Sequence, residues 1–266
     1  MSNIVVSHSE SGLVTAEVLR SERVTPHVAR VTIGGGDVRR LTPLGFDQWV
    51  RLAIPAHERT RFDNLPDTFG MRGYLRYRTL PREHRPVIRN YTIRQVRRDP
   101  DEVDIDFVVH GEKGIAAPWA ATVQPGTPVA LIDQGCGWRP VPAEWNLLVA
   151  DESGLPAVAG ILRDLPRDAT GHALIELFDA DDRQDTGAPD GVTVHWLTRD
   201  PADAPGTVAL PALADLAFPA GTPYVFAVGE RALATGARRH LVGERGVPKS
   251  NVTFSGYWRL GHASPS

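Results

Sequence analysis

The feature that most constrains the fold is a change of pattern at the proline-rich stretch Arg139-Pro140-Val141-Pro142. Before it, the chain consists of short runs rich in β-branched residues, separated by glycine and proline. Six such runs occupy residues 13–20, 24–33, 48–54, 87–96, 102–110 and 128–132. Short strands with turn residues between them are typical of an antiparallel barrel or sandwich. We therefore predict an all-β N-terminal half.

After residue 142, strand-like and helix-like segments alternate. Apolar strand-like runs cover residues 146–150, 173–178, 192–197, 224–228 and 251–255. Helical spacing occurs over residues 156–165, 210–217 and 230–244. This alternation predicts a parallel sheet covered by helices on both faces. We place the boundary within residues 140–145 and assign residues 1–142 and 143–266 to two domains.

Size, charge and cysteine content limit the classes of protein to which the chain can belong. A length of 266 residues suits two ordinary domains, each with its own core. The net charge of −3 disfavours a general binder of nucleic acid or anionic membranes, because such proteins carry a broad excess of lysine and arginine. Cys136 is the only cysteine, which excludes an internal disulfide and a multi-cysteine zinc site.

The sequence also bears on location and assembly. Its N-terminal residues show no basic region followed by an apolar core, and no apolar run is long enough to span a bilayer. We therefore expect a soluble, cytoplasmic protein with no membrane or nucleic-acid partner. Nothing in the sequence demands a second chain, so we expect a monomer.

One strand-like run, residues 89–94 with the sequence RNYTIR, carries side chains that suit ligand binding. Because neighbours on a strand point to opposite faces, this run can contact both sides of a ligand. Its residue types match a flavin dinucleotide: Arg89 for a phosphate, Tyr91 for the ring or ribityl chain, and Thr92 for the redox-active nitrogen edge. Taken alone, the run is more typical of a barrel strand with a solvated arginine face.

A second segment favours the flavin interpretation. Residues 104–121 read DIDFVVHGEKGIAAPWAA. Gly111, Gly114 and the pair Ala116-Ala117 predict a tight turn that leads into a short helix. Free amides at the start of a helix bind anions, so this segment predicts a cradle for a phosphate.

Four motifs in order give the sequence a family resemblance. They are R-x-Y-T from Arg89, H-G-x-x-G-x-A-A-x-W from His110, D-E-S-x-x-P-A from Asp151 and S-G-Y-W-R-L-G from Ser255. Together they resemble the siderophore-interacting proteins, flavin-dependent ferric-siderophore reductases of the ferredoxin–NADP reductase superfamily. The resemblance covers nearly the whole chain. It implies a six-stranded antiparallel flavin-binding barrel, followed by a parallel-sheet α/β domain that binds a nicotinamide dinucleotide.

The resemblance also implies site residues. Those implied to bind FAD are Arg89, Asn90, Tyr91, Thr92, Asp106, Val108, Val109, His110, Gly114, Ala116, Ala117, Tyr257 and Trp258. The C-terminal motif places Arg259 at the substrate pocket. One departure is visible, because the family commonly has a G-P-x-G turn after its last barrel strand, whereas residues 133–138 here read DQGCGW. No catalytic acid, base or metal ligand is expected.

The charge is distributed unevenly along the chain. Nine arginines and a single acid, Glu83, lie between Arg72 and Arg98, with tyrosines interleaved. We interpret this segment as bordering the substrate pocket, where Arg72 and Arg76 attract an anionic ferric chelate. A solvated loop that balances acidic surface elsewhere is the plainer alternative. Single-stranded nucleic acid is a third, disfavoured by the acidic remainder of the chain.

The turn of residues 151–154 offers a site for the electron donor. A hydrolase nucleophile elbow is excluded, because it requires glycine where this chain has Asp151 and Leu155. Pro156 suits the first turn of a helix, and the loop before it is expected to leave amides free for the phosphates of NADPH or NADH. Four arginines are candidates for a 2′-phosphate: Arg199, Arg231, Arg238 and Arg239.

The sequence thus predicts a cytoplasmic NAD(P)H:ferric-siderophore oxidoreductase that uses FAD. Electrons would pass from nicotinamide to flavin and then singly to iron held by the chelate. Two alternatives stay open. One is a general flavin or ferric reductase with another donor such as ferredoxin, and the other is a siderophore-binding protein without turnover.

Overall fold

The computed structural model describes residues 2–4, 7, 11–63, 65–68, 70–109 and 115–262. The first half forms a closed barrel of six strands. They are β1 (Leu13–Thr25), β2 (Val28–Gly34), β3 (Trp49–Ile54), β4 (Val87–Arg97), β5 (Glu102–Val108) and β6 (Pro128–Gly135). The order around the barrel is β1-β2-β5-β4-β3-β6, and every pairing is antiparallel.

The barrel closes around an apolar interior because alternate residues of its strands point inward. Val31, Ile33, Leu52, Ile105 and Leu131 are fully buried there. The predicted run 24–33 is not one strand, since Pro26 and His27 turn the chain between β1 and β2.

Residues 55–86 lie between two predicted strands, and they contain helix α1 (Met71–Thr79), which the sequence did not predict. The helix was missed because it has little apolar periodicity: of its residues, Gly73 and Tyr77 are buried. The Tyr77 hydroxyl donates to the carbonyl of Pro86 (2.8 Å), which ties α1 to the start of β4. A second helix, α2 (Ala116–Thr122), follows β5.

The second half is a five-stranded parallel sheet with helices on both faces, and this confirms the predicted fold class. Its strands are β7 (Trp145–Ala150), β8 (Gly171–Leu177), β9 (Val192–Thr198), β10 (Pro223–Glu230) and β11 (Val252–Trp258). Its helices are α3 (Leu155–Asp164), α4 (Ala209–Asp215) and α5 (Arg231–Gly243). Within the described residues, no helix has the length and apolar character of a membrane span.

The strand order β11-β10-β7-β8-β9 determines where this domain can bind a ligand. The direction of winding reverses between β7 and β10, and ligands of open parallel sheets bind at the carboxyl ends of such a strand pair. Here those ends carry the turn 151–154 after β7 and Glu230 at the end of β10.

Polar contacts join the barrel to the α/β domain. Asp182 is buried and accepts hydrogen bonds from the Thr25 hydroxyl and the His27 amide, both at 2.8 Å. On another face, Arg163 of α3 donates to the carbonyl of Arg94 in β4 (2.9 Å). The two domains therefore meet along several elements rather than through the connecting chain alone.

Candidate functional site

A cavity of about 300 Å³ lies between the barrel and the α/β domain. The barrel contributes Asn90, Tyr91 and Thr92 of β4, and the α/β domain contributes Tyr257 near the end of β11. The other lining residues are Ser2, Ile4, Trp49, Ser255 and Gly256. Its volume is at the lower end of the range for small-molecule pockets. The cavity brings together two segments predicted to bind flavin, one from each domain.

Tyr91 and Thr92 are fixed in place by the barrel. The Tyr91 ring packs against Phe107 of β5 with ring centroids 4.3 Å apart, and burial raises the pKa of its hydroxyl. Thr92 pairs with Trp49 of β3 and is buried. An aromatic wall and a hydroxyl that are already ordered suit a planar heterocycle.

Tyr257 approaches β4 from the other domain. Burial raises the pKa of its phenol well above the usual value, and the charges of Asp47 and Asp151 act in the same direction. A side-chain hydrogen bond with Thr92 opposes this rise. The phenol therefore stays neutral over the physiological pH range and offers an aromatic face and a hydroxyl.

Trp258, the next residue, contacts the turn after β7. Its indole N–H donates to Oγ of Ser153 (3.1 Å), and this hydroxyl donates to Asp151 (2.5 Å). Asp151 is fully buried and also accepts the amide of Glu230 (2.6 Å). The end of β11 is thereby anchored at the switch point of the sheet. Trp258 is absent from the cavity lining, and its contact with flavin stays a prediction.

The turn 151–154 does not leave its amides free, contrary to the prediction. The Asp151 carboxylate accepts the amides of Ser153 (2.9 Å) and Gly154 (3.3 Å), so the turn satisfies its own donors. Gly229 permits this arrangement: its φ is +123°, and a Cβ there would lie 2.5 Å from a carboxylate oxygen of Asp151. A nicotinamide phosphate must therefore find other donors at this edge.

Arg89 lies beside the cavity, next to the lining residue Asn90, and is half-buried. Its guanidinium donates to the carbonyl of Ile88 (2.8 Å). In the described part of the chain, no ion pair joins Arg89 to an acid, so it can accept an anionic ligand as a partner.

The side chain of Asp106, predicted to contact flavin, pairs with arginines of the barrel. Its carboxylate accepts two hydrogen bonds from Arg30, at 2.7 and 2.8 Å, and lies 3.8 Å from Nε of Arg94. The side chain is almost fully buried between these two cations. Its geometry therefore points to an ion pair of the barrel and lends no support to a flavin contact by this carboxylate.

The second predicted flavin segment is described only in part. Val108 ends β5, and the amide of Val109 donates to the carbonyl of His27 (2.8 Å). Ala116 and Ala117 open helix α2, and Ala116 packs against the barrel core. Outside the described residues lie His110, Gly111 and Gly114. The phosphate cradle accordingly stays a prediction.

The arginine-rich segment divides into paired and exposed members. Arg94, one of the nine arginines of this segment, faces Asp106 and donates to the carbonyl of Asp185 (2.9 Å). Arg97 forms an ion pair with Glu102 (2.7 Å). The following arginines are exposed: Arg72, Arg76, Arg78 and Arg82. The free positive charge is thus concentrated on α1 and the turn that follows it.

The three predicted substrate arginines occupy two places. Arg259 is exposed and follows β11, two positions beyond the cavity-lining Tyr257. Arg72 and Arg76 are exposed on α1 and do not belong to the cavity lining. Burial of Tyr77 raises its pKa, and the charge of Arg89 acts in the opposite direction, so the last turn of α1 lies near Arg89. Arg259 thus directly follows the strand that lines the cavity, whereas Arg72 and Arg76 lie on a helix outside the lining.

Arg199 is not available for a 2′-phosphate, contrary to its inclusion among the four candidates. It is 3% exposed, donates to Glu152 (2.9 Å) and lies 3.2 Å from Glu176. Its guanidinium also stacks over Phe178 at 4.3 Å. Burial raises the pKa of Glu152 to about 8, the nearby Asp151 adds to the rise, and Arg199 opposes it. This buried ionic cluster was missed because a sequence does not show that an arginine after a strand folds inward.

Several residues near the cavity were also missed. Trp49 belongs to the lining and sits opposite Thr92 in the barrel register. Arg51, two residues further along β3, pairs with Asn90 and donates to Gln134 (3.1 Å). Their positions follow from strand pairing, which cannot be obtained from the spacing of residues within one run.

Known proteins match the chain over both domains. A family model described as a siderophore-interacting FAD-binding domain matches residues 17–137, and one described as siderophore-interacting protein matches residues 143–261. Ferric vibriobactin reductase ViuB of Vibrio cholerae is 36% identical over 67% of this chain and 67% of its own length. The chain belongs to the siderophore-interacting protein family.

Two further family relatives match over most of their length. The NADPH-dependent ferric-chelate reductase of Escherichia coli is 28% identical over 91% of each chain. The crystal structure of a siderophore utilization protein from T. fusca has a TM-score of 0.77 and 33% identity, covering 98% of each chain.

The barrel is the FAD-binding domain of this family member, and its residues fit the cofactor. Asn90, Tyr91 and Thr92 wall a cavity that is already formed, and Arg89 stands beside it as a half-buried cation. A flavin dinucleotide combines a flat fused ring with a pyrophosphate, and an aromatic slot next to an arginine matches both parts.

Proposed function

We propose that this protein is an NAD(P)H:ferric-siderophore oxidoreductase that acts in the cytoplasm through FAD. The observation that carries the proposal is the cavity in which β4 of the barrel faces Tyr257 of the α/β domain. A redox enzyme of this kind must hold a flavin between a donor site and an acceptor site, and a cavity walled by both domains suits that task.

Each residue around the cavity would have its own role toward the flavin. Bound FAD supplies the conversion of a two-electron donor into a one-electron donor. Arg89 would pair with its pyrophosphate, Tyr91 would cover the ring or ribityl chain, and Thr92 would donate or accept a hydrogen bond at the nitrogen edge. Because Tyr257 is neutral and half-buried, it would exclude water from the cavity without adding charge.

The electron donor would enter at the carboxyl edge of the parallel sheet. The turn 151–154 and Glu230 meet there through Asp151, beside strand β11, which carries Tyr257. The E. coli relative is named for NADPH, and this name supports a nicotinamide donor for the present chain. Arg199 is buried and the Arg238 guanidinium stacks over Phe254 at 5.0 Å, so recognition of a 2′-phosphate would fall to Arg231 or Arg239.

The acceptor would be a ferric siderophore, as the name of the V. cholerae relative supports. Catecholate, citrate and some hydroxamate chelates of iron are anionic. Arg259 near the cavity and Arg72 and Arg76 on α1 would attract them. Ferrous iron fits hard oxygen ligands less well than ferric iron, so reduction would release the metal.

A spectroscopic titration tests the proposal. The purified protein is expected to carry or take up FAD, to lose flavin absorbance on anaerobic addition of NADPH or NADH, and to regain it when a ferric siderophore is added with a ferrous trap. Reduced ferredoxin is the comparison donor. A protein that takes up no FAD, or that is reduced by ferredoxin and by neither nicotinamide, would contradict the proposed activity.

A further inference from the structure

The chain leaves the barrel through residues 137–138, and the side chain of Asp47 binds both amides of this linker. Asp47 is 1% exposed and accepts the amides of Gly137 (2.9 Å) and Trp138 (2.8 Å). These residues belong to the segment that departs from the family's G-P-x-G turn. A buried carboxylate that accepts both amides fixes the direction in which the chain enters the second domain.

The turn that carries Asp47 is itself wedged against the α/β domain. Gly45 and Phe46 both have positive φ, +74° and +49°, which is unusual for a residue with a side chain such as Phe46. The Phe46 amide donates to Asp164 of α3 (2.5 Å). Gly160 of α3 lies so close that a Cβ there would be 2.0 Å from the Phe46 carbonyl oxygen. The turn therefore touches the linker on one side and α3 on the other.

The linker in turn packs against the strands that carry Tyr257. Trp138 makes edge contacts with Tyr224 and Phe226 of β10, at centroid distances of 4.8 and 5.9 Å. Strand β10 pairs with β11 up to the cavity. Asp47 is also two residues before Trp49, which lines the same cavity.

We propose that Asp47 is a positioning residue of the reductase, whose carboxylate holds the 137–138 linker and so keeps Tyr257 and β4 aligned across the cavity. The functional part of this inference rests on the proposed reductase activity. Asp47 itself touches neither substrate nor cofactor in this assignment. It acts through the linker and through Trp138.

The charge state of Asp47 gives the proposal a pH signature. Burial raises its pKa to about 6, while the amides of Trp138 and Gly137 and the charge of Arg139 oppose the rise. Above this value the carboxylate is ionised and accepts both amides, and below it one oxygen is protonated and accepts less well. The two amides lower the pKa of Asp47, so this pKa is higher in a state where the linker is released while the carboxylate stays buried. Protonation therefore favours release of the linker, which is expected to loosen as the pH falls from 7 to 5.

The charged and titratable groups that face Asp47 do not titrate in this window. Burial raises the pKa of Cys136 to about 12, and it also raises the pKa of Tyr224 and of Tyr257. On α3, burial acts to raise the pKa of Asp164, but the Arg163 side chain and the Phe46 amide outweigh it, and the net shift is downward.

Hydrogen exchange of the full-length protein tests the structural part. We expect the amides of residues 137–138 to be protected at pH 7 in the wild type and less protected at pH 5, relative to the same peptide unfolded. Asp47→Asn should show the low protection at both pH values. Asp104→Asn is the matched control, because that buried carboxylate accepts from Thr32 and Arg97 on β2 and β4 and should leave the linker as it is.

Anaerobic flavin reduction by NADPH or NADH tests the functional part. Asp47→Asn is expected to bind FAD like the wild type but to be reduced roughly tenfold more slowly, since small misalignments cost this much or more. Its rate should be flat between pH 5 and 7, whereas the wild-type rate should fall with acid. If the Asp47→Asn variant shows the amide exchange and the rate of flavin reduction of the wild type, the proposal is wrong.

Two failures are distinguishable. If neither nicotinamide reduces the wild-type flavin, the proposed donor is wrong, while the exchange experiment still decides whether Asp47 holds the linker. If Asp47→Asn does not fold, the pH series on wild-type protein replaces it. Linker protection that is equal at pH 5 and pH 7 would then reject the role of this carboxylate.

Discussion

Thr92 of the barrel and Tyr257 of the last parallel strand line the same cavity, and interaction with the Thr92 side chain opposes the rise in the pKa of the Tyr257 phenol. This contact links the two segments that the family resemblance assigns to flavin. Thr92 therefore has a neighbour in the other domain before a ligand binds. Removing one hydroxyl at a time distinguishes this internal contact from a contact with flavin.

Thr92→Val and Tyr257→Phe each remove one hydroxyl of this pair. If Thr92 also bonds to flavin, Thr92→Val should weaken FAD binding by up to about tenfold, the value of one neutral hydrogen bond, and should shift the flavin absorbance bands. Tyr257→Phe removes the same internal contact and serves as the control. Titration of apoprotein with FAD measures both, and identical affinities and spectra would argue against the Thr92 contact.

Arg89→Ala should weaken FAD binding by roughly 1.5–3 kcal/mol, about ten- to a hundred-fold, because a charge-assisted phosphate contact has this size. The guanidinium is half-buried beside the cavity, so nearby arginines cannot easily replace it. Arg82→Ala, an exposed arginine of the same segment, is the control. Variant protein that keeps its full yellow colour through extensive dialysis would contradict the assignment.

Much of the fold could be predicted because local patterns agree with the tertiary structure. Strands β5 and β7 lie close to their predicted ranges, since period-two alternation and apolar runs mark them. Helix α1 was missed for the opposite reason: seven of its nine residues are not buried, so no apolar stripe marks it.

The site was predictable only where one run supplies it. Asn90, Tyr91 and Thr92 were identified because they are consecutive, and all three line the cavity. Trp49 was not identified, because its role depends on the register between β3 and β4. Asp47 was not identified, because its role depends on the path of a linker 90 positions away, as the contact with Gly137 shows. Long-range pairing of this kind leaves no local signature in the sequence.

The double variant Arg72→Ala/Arg76→Ala should raise KM for an anionic ferric chelate and reduce its dependence on salt. Both side chains are exposed on α1, where charges act over a Debye length of about 8 Å at physiological ionic strength. Initial rates at low and high salt measure the effect, with exposed Arg23→Ala as the control. An efficiency that stays flat with salt in the wild type would show that these arginines do not steer the chelate.

Arg199→Ala should destabilise the fold in a pH-dependent way. It leaves the buried Glu152 without its cation, and such a loss typically costs about 3–5 kcal/mol. The pKa of Glu152, about 8 and raised mainly by burial, should rise further in the variant. An acid with a raised pKa loses stability as the pH climbs toward that value, so the variant should keep losing stability above pH 8, where the wild type levels off.

Denaturant unfolding at pH 6 and pH 9 checks the Arg199 prediction. The difference between variant and wild type should be larger at pH 9. Arg239→Ala, exposed on α5, should show no such difference. An equal penalty at both pH values would mean that Glu152 does not take up the proton.

Gly160→Ala should destabilise the protein, although alanine favours a helix over glycine by about 1 kcal/mol. Its Cβ would lie 2.0 Å from the Phe46 carbonyl, a backbone atom that cannot rotate away, and overpacking of this kind costs about 1–3 kcal/mol. Gly243→Ala is the matched control, because a Cβ at that position of α5 meets nothing within 4 Å and should stabilise by up to about 1 kcal/mol. Chemical denaturation of both variants decides the sign of the change in the free energy of unfolding.

The same clash should loosen the turn that carries Asp47, so Gly160→Ala should also speed amide exchange at residues 137–138. A Gly160→Ala protein as stable as Gly243→Ala would mean that α3 and the Phe46 turn are not in contact.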